Sequence, residues 1–157
     1  MRRAFVIAVS FPLAVGLVSC GDDDDGSAAA TRTDAEYCAE LRTLPEGGGP
    51  TDEFFEKFPD PTLADWAEGL PDVIDTATEQ RDALAEVPPS AGLADERQAV
   101  LDAFDDVIAS FGVSLDAAKA GDQDTFDAEE RRNQDENVPA LMEAVQPLMR
   151  ECGGTGE

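Results

Sequence analysis

The chain has 157 residues, a length that suits one domain, and 11 Lys or Arg against 35 Asp or Glu give it a formal charge of -24. That charge excludes docking on a nucleic-acid backbone, which needs a cationic surface, and it opposes adhesion of the folded surface to anionic lipid headgroups. The chain has no histidine, so the commonest general base and metal ligand are missing, and with them any Ser-His-Asp or Cys-His constellation.

Arg2-Arg3 precedes an apolar stretch of 15 residues, Ala4 to Val18. A membrane helix needs about 20 apolar residues. The shorter stretch fits a secretory signal peptide over residues 1–19. Two arginines also suit twin-arginine export, but they are common in general secretion, which is the simpler route. Leu17-Val18-Ser19-Cys20 resembles a bacterial lipobox: branched apolar, tolerant position, small residue, cysteine. The resemblance implies a diacylglyceryl group on the Cys20 sulfur, palmitate-type acyl chains and cleavage to make Cys20 the new N-terminus. Two acyl chains anchor a protein stably where one does not.

Residues 20–32 read as the lipidated N-terminus and a disordered acidic tether, small and polar. From Cys20 to Thr33 such a coil reaches about 20 Å on average and about 50 Å fully extended. Asp22-Asp23-Asp24-Asp25 is a solvated spacer. A calcium site needs six to eight arranged oxygens, and a flexible run arranges none.

Three cysteines is an odd count. With Cys20 assigned to lipid, Cys38 and Cys152 remain, and outside the cytosol they are expected to pair. Two distant thiolates without histidine make a poor zinc site.

From Thr33 the signals are helical. Thr33-Asp34-Ala35-Glu36 matches a capping box. Tyr37, Leu41 and Leu44 follow at helical spacing until Pro45 and the Gly47-Gly48-Gly49 run. Thr51 to Phe58 suits a short helix. Asp60-Pro61 suits the cap and first position of the next one. Leu63, Trp66, Leu70, Ile74, Ala77 and Leu84 stripe that helix to Val87, with Gly69 and Pro71 expected to bend or break it. After Pro88-Pro89-Ser90, a second stripe runs from Leu93 through Val100, Leu101, Phe104, Val107, Ile108 and Phe111 to Leu115. Gly112 weakens this helix without ending it. Gly121-Asp122 is the clearest turn, with Asp122 or Asp124 as the following cap. The last arm starts near Thr125. Asn137-Val138-Pro139 restarts or kinks it, and Leu141, Val145, Leu148 and Cys152 continue in phase. Residues 153–157 read as a flexible tail.

No stretch alternates like a strand. The expectation is all-α: an antiparallel, up-down four-helix bundle over residues 33–152, with a short extra helix and one closing disulfide. In that topology Cys38 and Cys152 lie at the same end, so the pairing and the topology support each other.

Few residues carry recognisable chemistry. In Asp116 to Asp127 the calcium-loop register fails, because Ala118 and Ala120 fall where ligands are needed. No metal ligands, catalytic residues or cofactor are expected. Phe54, Phe55 and Phe58 form an aromatic cluster, either a ligand or partner patch or, better, a lid packed over one end of the bundle. Arg131-Arg132 is the basic pair left once the leader is cleaved. Asp127 is placed to pair with Arg131 on the helix surface.

The ensemble resembles the small secreted lipoproteins of actinobacteria: lipobox, acidic tether, Glu36-Tyr37-Cys38 opening the domain and Glu151-Cys152-Gly153 closing it. Many proteins of that kind are uncharacterised. The resemblance implies a location on the outer face of the cell membrane and carries over no catalytic residue. The expected role is a non-enzymatic binding or interaction module in the cell envelope. It would be held to the membrane through Cys20 and would meet an envelope protein or small ligand. A hydrolase of envelope polymers using carboxylates alone, and a cation-binding or structural protein, are the alternatives.

Overall fold

The structure is a computed structural model and describes residues 32–44 and 50–153. The expected signal peptide, Cys20, the expected tether to residue 31, residues 45–49 and the tail from residue 154 lie outside the described residues.

Thr33 opens α1 (Asp34–Leu41) with the expected capping box. The Glu36 N–H donates to Thr33 Oγ1 at 3.3 Å, and the Glu36 carboxylate accepts from the Thr33 N–H at 2.8 Å. α2 spans Pro50–Lys57. α3 (Leu63–Glu86) has its own box, and this corrects the expected Asp60-Pro61 start. Thr62 is the cap: its N–H donates to Asp65 Oδ2 at 2.8 Å, and its hydroxyl accepts from the Asp65 N–H at 3.4 Å. Two reciprocal bonds satisfy two orphan donors, which a lone Asp60 cap would not.

These bonds hold the Glu36 and Asp65 carboxyls below the usual carboxylate range, the backbone N–H of the capping threonine being the largest cause in each. A lowered folded pKa adds stability that is complete above the unfolded value and is lost as pH falls through the folded one. Asp65→Asn should therefore be less stable than the parent at pH 7. The gap should close as the pH drops below the carboxylate range in urea titrations.

α3 runs unbroken through Gly69 and Pro71, where a bend or break was expected. Pro71 leaves the carbonyl of Ala67 without its helical partner. Ala67 is only half-buried, so solvent can serve that carbonyl. At Gly69 the missing side chain is filled from outside: a Cβ there would overlap the Phe54 ring of α2.

α4 (Ala94–Ala120) stops at Gly121, whose φ of 71° is the left-handed cap expected of that turn. Asp122 caps α5 (Gln123–Arg132) by accepting from the Thr125 N–H at 3.1 Å. A π turn, Asn133–Asn137, then leads directly into α6 (Val138–Glu151). This turn is the irregularity expected near Asn137-Val138-Pro139. The arm neither stops nor restarts there. An α turn would drive the Pro139 ring into the carbonyl of Asp135, and the wider turn avoids this.

All regular structure among the described residues is helical. Cys38 and Cys152 form the disulfide, with Cα atoms 5.0 Å apart. α3 and the α5–α6 arm both pack along α4, which is compatible with an up-down arrangement. The core has two parts. At the disulfide end Tyr37, Leu84, Leu93, Leu101, Leu141 and Leu148 meet. At the other end Leu70, Ala117, Ala118 and Phe126 meet, with Trp66 against them.

The expected stripe is buried at Leu93, Val100, Leu101 and Val107, and the most buried seam of α4 shares Val100 and Val107 with it while adding small residues. Val100, Ala103, Val107, Ser110, Ser114 and Ala117 repeat by three and four and are all buried. Phe104, Ile108, Phe111 and Leu115 are half-buried.

Tyr37 is fully buried, and its hydroxyl has no hydrogen-bond partner among the described residues. Burial pushes its pKa up, against the smaller opposing effects of Arg97 and Arg32. An unpartnered buried hydroxyl costs about 1–3 kcal/mol. Tyr37→Phe should accordingly raise the urea midpoint. A lower midpoint would mean that the hydroxyl is hydrogen-bonded in the folded protein.

Candidate functional site

Apart from Ser90, buried in the connection between α3 and α4, the polar residues that the fold buries lie on α4 and the π turn. Ser110 is 3% exposed and Ser114 is 4% exposed on α4; Asn133 is 6% and Asn137 is 8% exposed on the π turn. Asn137 Nδ2 donates to Asn133 Oδ1 at 2.8 Å. One turn earlier, the Ser110 hydroxyl donates to Glu129 Oε2 at 2.8 Å. Arg132 Nη1 stands 3.8 Å from the same carboxylate oxygen. Each arm contributes a polar pair four residues apart at positions that would otherwise be apolar.

A serine bonded to a carboxylate has the elements of an activated nucleophile. Here Ser110 faces the interior seam, out of a substrate's reach. Together these polar residues can do something else: they tie α5 to α4 in one register, since a slip would leave buried polar groups unpaired. From the sequence, Asn137 was marked only within the restart or kink at Asn137-Val138-Pro139 and Arg132 only within the basic pair, and Ser110, Ser114, Glu129 and Asn133 were given no role. Their signal was two spacings, Ser110 to Ser114 and Asn133 to Asn137, which a search for apolar periodicity passes over.

The aromatic cluster sits elsewhere, away from these residues. Phe54 is buried against Gly69, with its ring centroid 4.6 Å from that of Trp66. Phe55 and Phe58 flank it at 5.4 and 5.3 Å and stay half-buried. Trp66 in turn reaches Phe126 at 5.6 Å. α2 thus lies over the first half of α3 as an aromatic lid.

Four arginines serve the structure. Arg97 donates from α4 to the carbonyls of Leu84 and Ala85, closing the end of α3. Arg42 donates to the Cys152 carbonyl at 2.6 Å, closing the end of α6. Arg32 binds Glu40 and donates to the Pro88 carbonyl at 3.0 Å. Arg81 grips Asp105 through Nε at 3.0 Å and Nη2 at 3.2 Å, joining α3 to α4. The expected Asp127–Arg131 pair gives way to other partners: Asp127 accepts from Gln123 Nε2 at 2.7 Å, and Arg132 lies near Glu129 and Glu136.

The acidic residues are left to the surface. Along α3, Glu68, Asp72, Asp75, Glu79, Asp82 and Glu86 repeat by four and three, and all are exposed. Among the described residues, no three His, Cys, Asp or Glu side chains are placed to hold a metal ion. No described helix is long and apolar enough to cross a membrane.

Comparison with protein families, curated proteins and solved structures finds no match for this chain.

Proposed function

We propose that the protein is a membrane-anchored extracytoplasmic lipoprotein, a binding or interaction module of the cell envelope rather than an enzyme. The observation that carries this reading is the pairing of Cys38 with Cys152. It accounts for two of three cysteines and leaves Cys20 at the end of the apolar leader for the lipid. Disulfides persist outside the cytosol, in keeping with an exported domain. The arms α1, α3, α4 and α5–α6 would alternate up and down, with both cysteines at one end.

The binding face on this reading is the acidic row of α3. Asp82 pairs with Arg81 and Glu68 with Lys57, and Asp72, Asp75, Glu79 and Glu86 of the row meet solvent as carboxylates. The row suits a basic envelope protein or a cationic small ligand.

Mass spectrometry of the protein from membranes tests the anchor. The expected N-terminal peptide begins at Cys20 and carries the diacylglyceryl mass. An unmodified cysteine there ends the anchor reading and reopens the cysteine assignment. Co-purification from detergent extracts tests the partner, and recovery of the protein alone counts against it. The same carboxylate row favours a second reading, cation binding. A saturable stoichiometry for calcium or magnesium in calorimetry would favour it over a protein partner.

A further inference from the structure

Successive residues of an uninterrupted α-helix turn by about 100°. On that basis Phe126, Glu129 and Asn133 lie within an arc of about 60°. Leu141, Val145, Leu148 and Cys152 lie within another arc of about that width, but about 100° ahead of the first. The two stripes are therefore out of phase by one residue. Yet Phe126, Asn133, Leu141, Val145 and Leu148 are all buried, and α5, the π turn and α6 all pack against α4. The extra residue is taken up between them. There the Val138 N–H reaches the Asn133 carbonyl, five residues back, where an α-helix would use four.

We infer that the π turn Asn133–Asn137 is a one-residue phase insertion that aims the apolar stripe of α6 at α4 and brings Cys152 to Cys38. Two features hold it in place. Pro139 disfavours the α-helical alternative at this point. The Asn133–Asn137 amide bond staples the inner side of the turn.

The phase matters most at Cys152. A turn of 100° on a cylinder of about 2.3 Å radius moves a Cα by about 3.5 Å and swings its side chain farther. Disulfide geometry does not accommodate that displacement without backbone movement.

The inference distinguishes two deletions that each shorten the arm by one exposed residue. Deleting Gln134, with Pro139→Ala to permit a regular turn, removes the insertion. Both stripes then lie on one α-helix in phase, and the Cys38–Cys152 bond should form as in the parent. Deleting Gln146, with Pro139 kept, leaves the π turn and rotates Leu148 and Cys152 off their contacts. Losing the π turn cannot rescue that chain without turning Val138, Leu141 and Val145 off α4. Its Cys38 and Cys152 should be recovered as thiols.

Both full-length chains are exported, denatured and alkylated, and the two cysteine peptides are weighed. A bond kept in the first and lost in the second bears out the inference. Loss in the first, including failure to fold, overturns it, and so does retention in the second.

Discussion

Replacing Cys152 with serine is expected to cost the domain about 4–5 kcal/mol, the chain-entropy value for a disulfide joining residues 114 apart. Domains of this kind are stable by about 5–15 kcal/mol in total, so the loss is a large share. At a urea slope of about 1–3 kcal/mol/M, the midpoint should fall by about 1.3–5 M. The damage should begin at α1. It has only eight residues, and a helix that short does not hold by propensity. Its ties to the rest are Tyr37, Cys38 and Leu41 at the core, the disulfide, Arg32 between Glu40 and the Pro88 carbonyl, and the bond from Arg42 to the Cys152 carbonyl. The chain has one tyrosine and one tryptophan, and they report on opposite ends. In Cys152→Ser the Tyr37 signal should be lost at lower urea than the Trp66 signal. An unchanged midpoint after reduction of the parent would show that packing alone holds α1.

That result would also bear on how far the fold was legible. The cysteine pair was readable because it rests on counting and compartment, which need no geometry. The Thr33 cap and the Gly121 turn were readable because both depend on residues within a few positions of each other. Thr62 was missed in favour of Asp60-Pro61, although Thr62-Leu63-Ala64-Asp65 has the same reciprocal form as the Thr33 box. Aspartate in place of glutamate at its third helical position concealed it. Pro71 was expected to bend or break α3; it does not break it, because the packing of a 24-residue helix along α4 outweighs local propensity.

The buried polar residues were hidden for a different reason. Periodicity weighs large apolar residues most, so Phe104, Ile108, Phe111 and Leu115 drew the eye. Yet Ala103, Ser110, Ser114 and Ala117 are the more deeply buried. A serine is small before it is polar, and on this seam its size decides its place. Once there, its hydroxyl needs a partner, and Glu129 supplies one across the interface. The single-residue phase shift in the last arm could have been found by taking Asn133 and Asn137 as seam positions. Steps of four from Asn133 to Asn137, Leu141 and Val145 overrun a 3.6-residue repeat.

The seat of the aromatic lid yields the second large effect. Phe54→Ala removes a buried ring packed among Phe55, Phe58 and Trp66 and should cost about 3 kcal/mol or more. Gly69 makes that seat possible. Inside a helix, glycine to alanine normally gains up to about 1 kcal/mol. Here the new methyl would enter the Phe54 ring, so Gly69→Ala should destabilise the parent as α2 is pushed off α3. In a chain already carrying Phe54→Ala the obstruction is gone, and Gly69→Ala should become stabilising. The sign change is a coupling between two residues in contact, which a double-mutant cycle isolates. Urea titration followed by Trp66 fluorescence reads it directly, since that ring touches Phe54 on one side and Phe126 on the other. If Gly69→Ala stabilises the protein with Phe54 in place, then Phe54 does not rest on Gly69, and α2 has no fixed seat on the bundle.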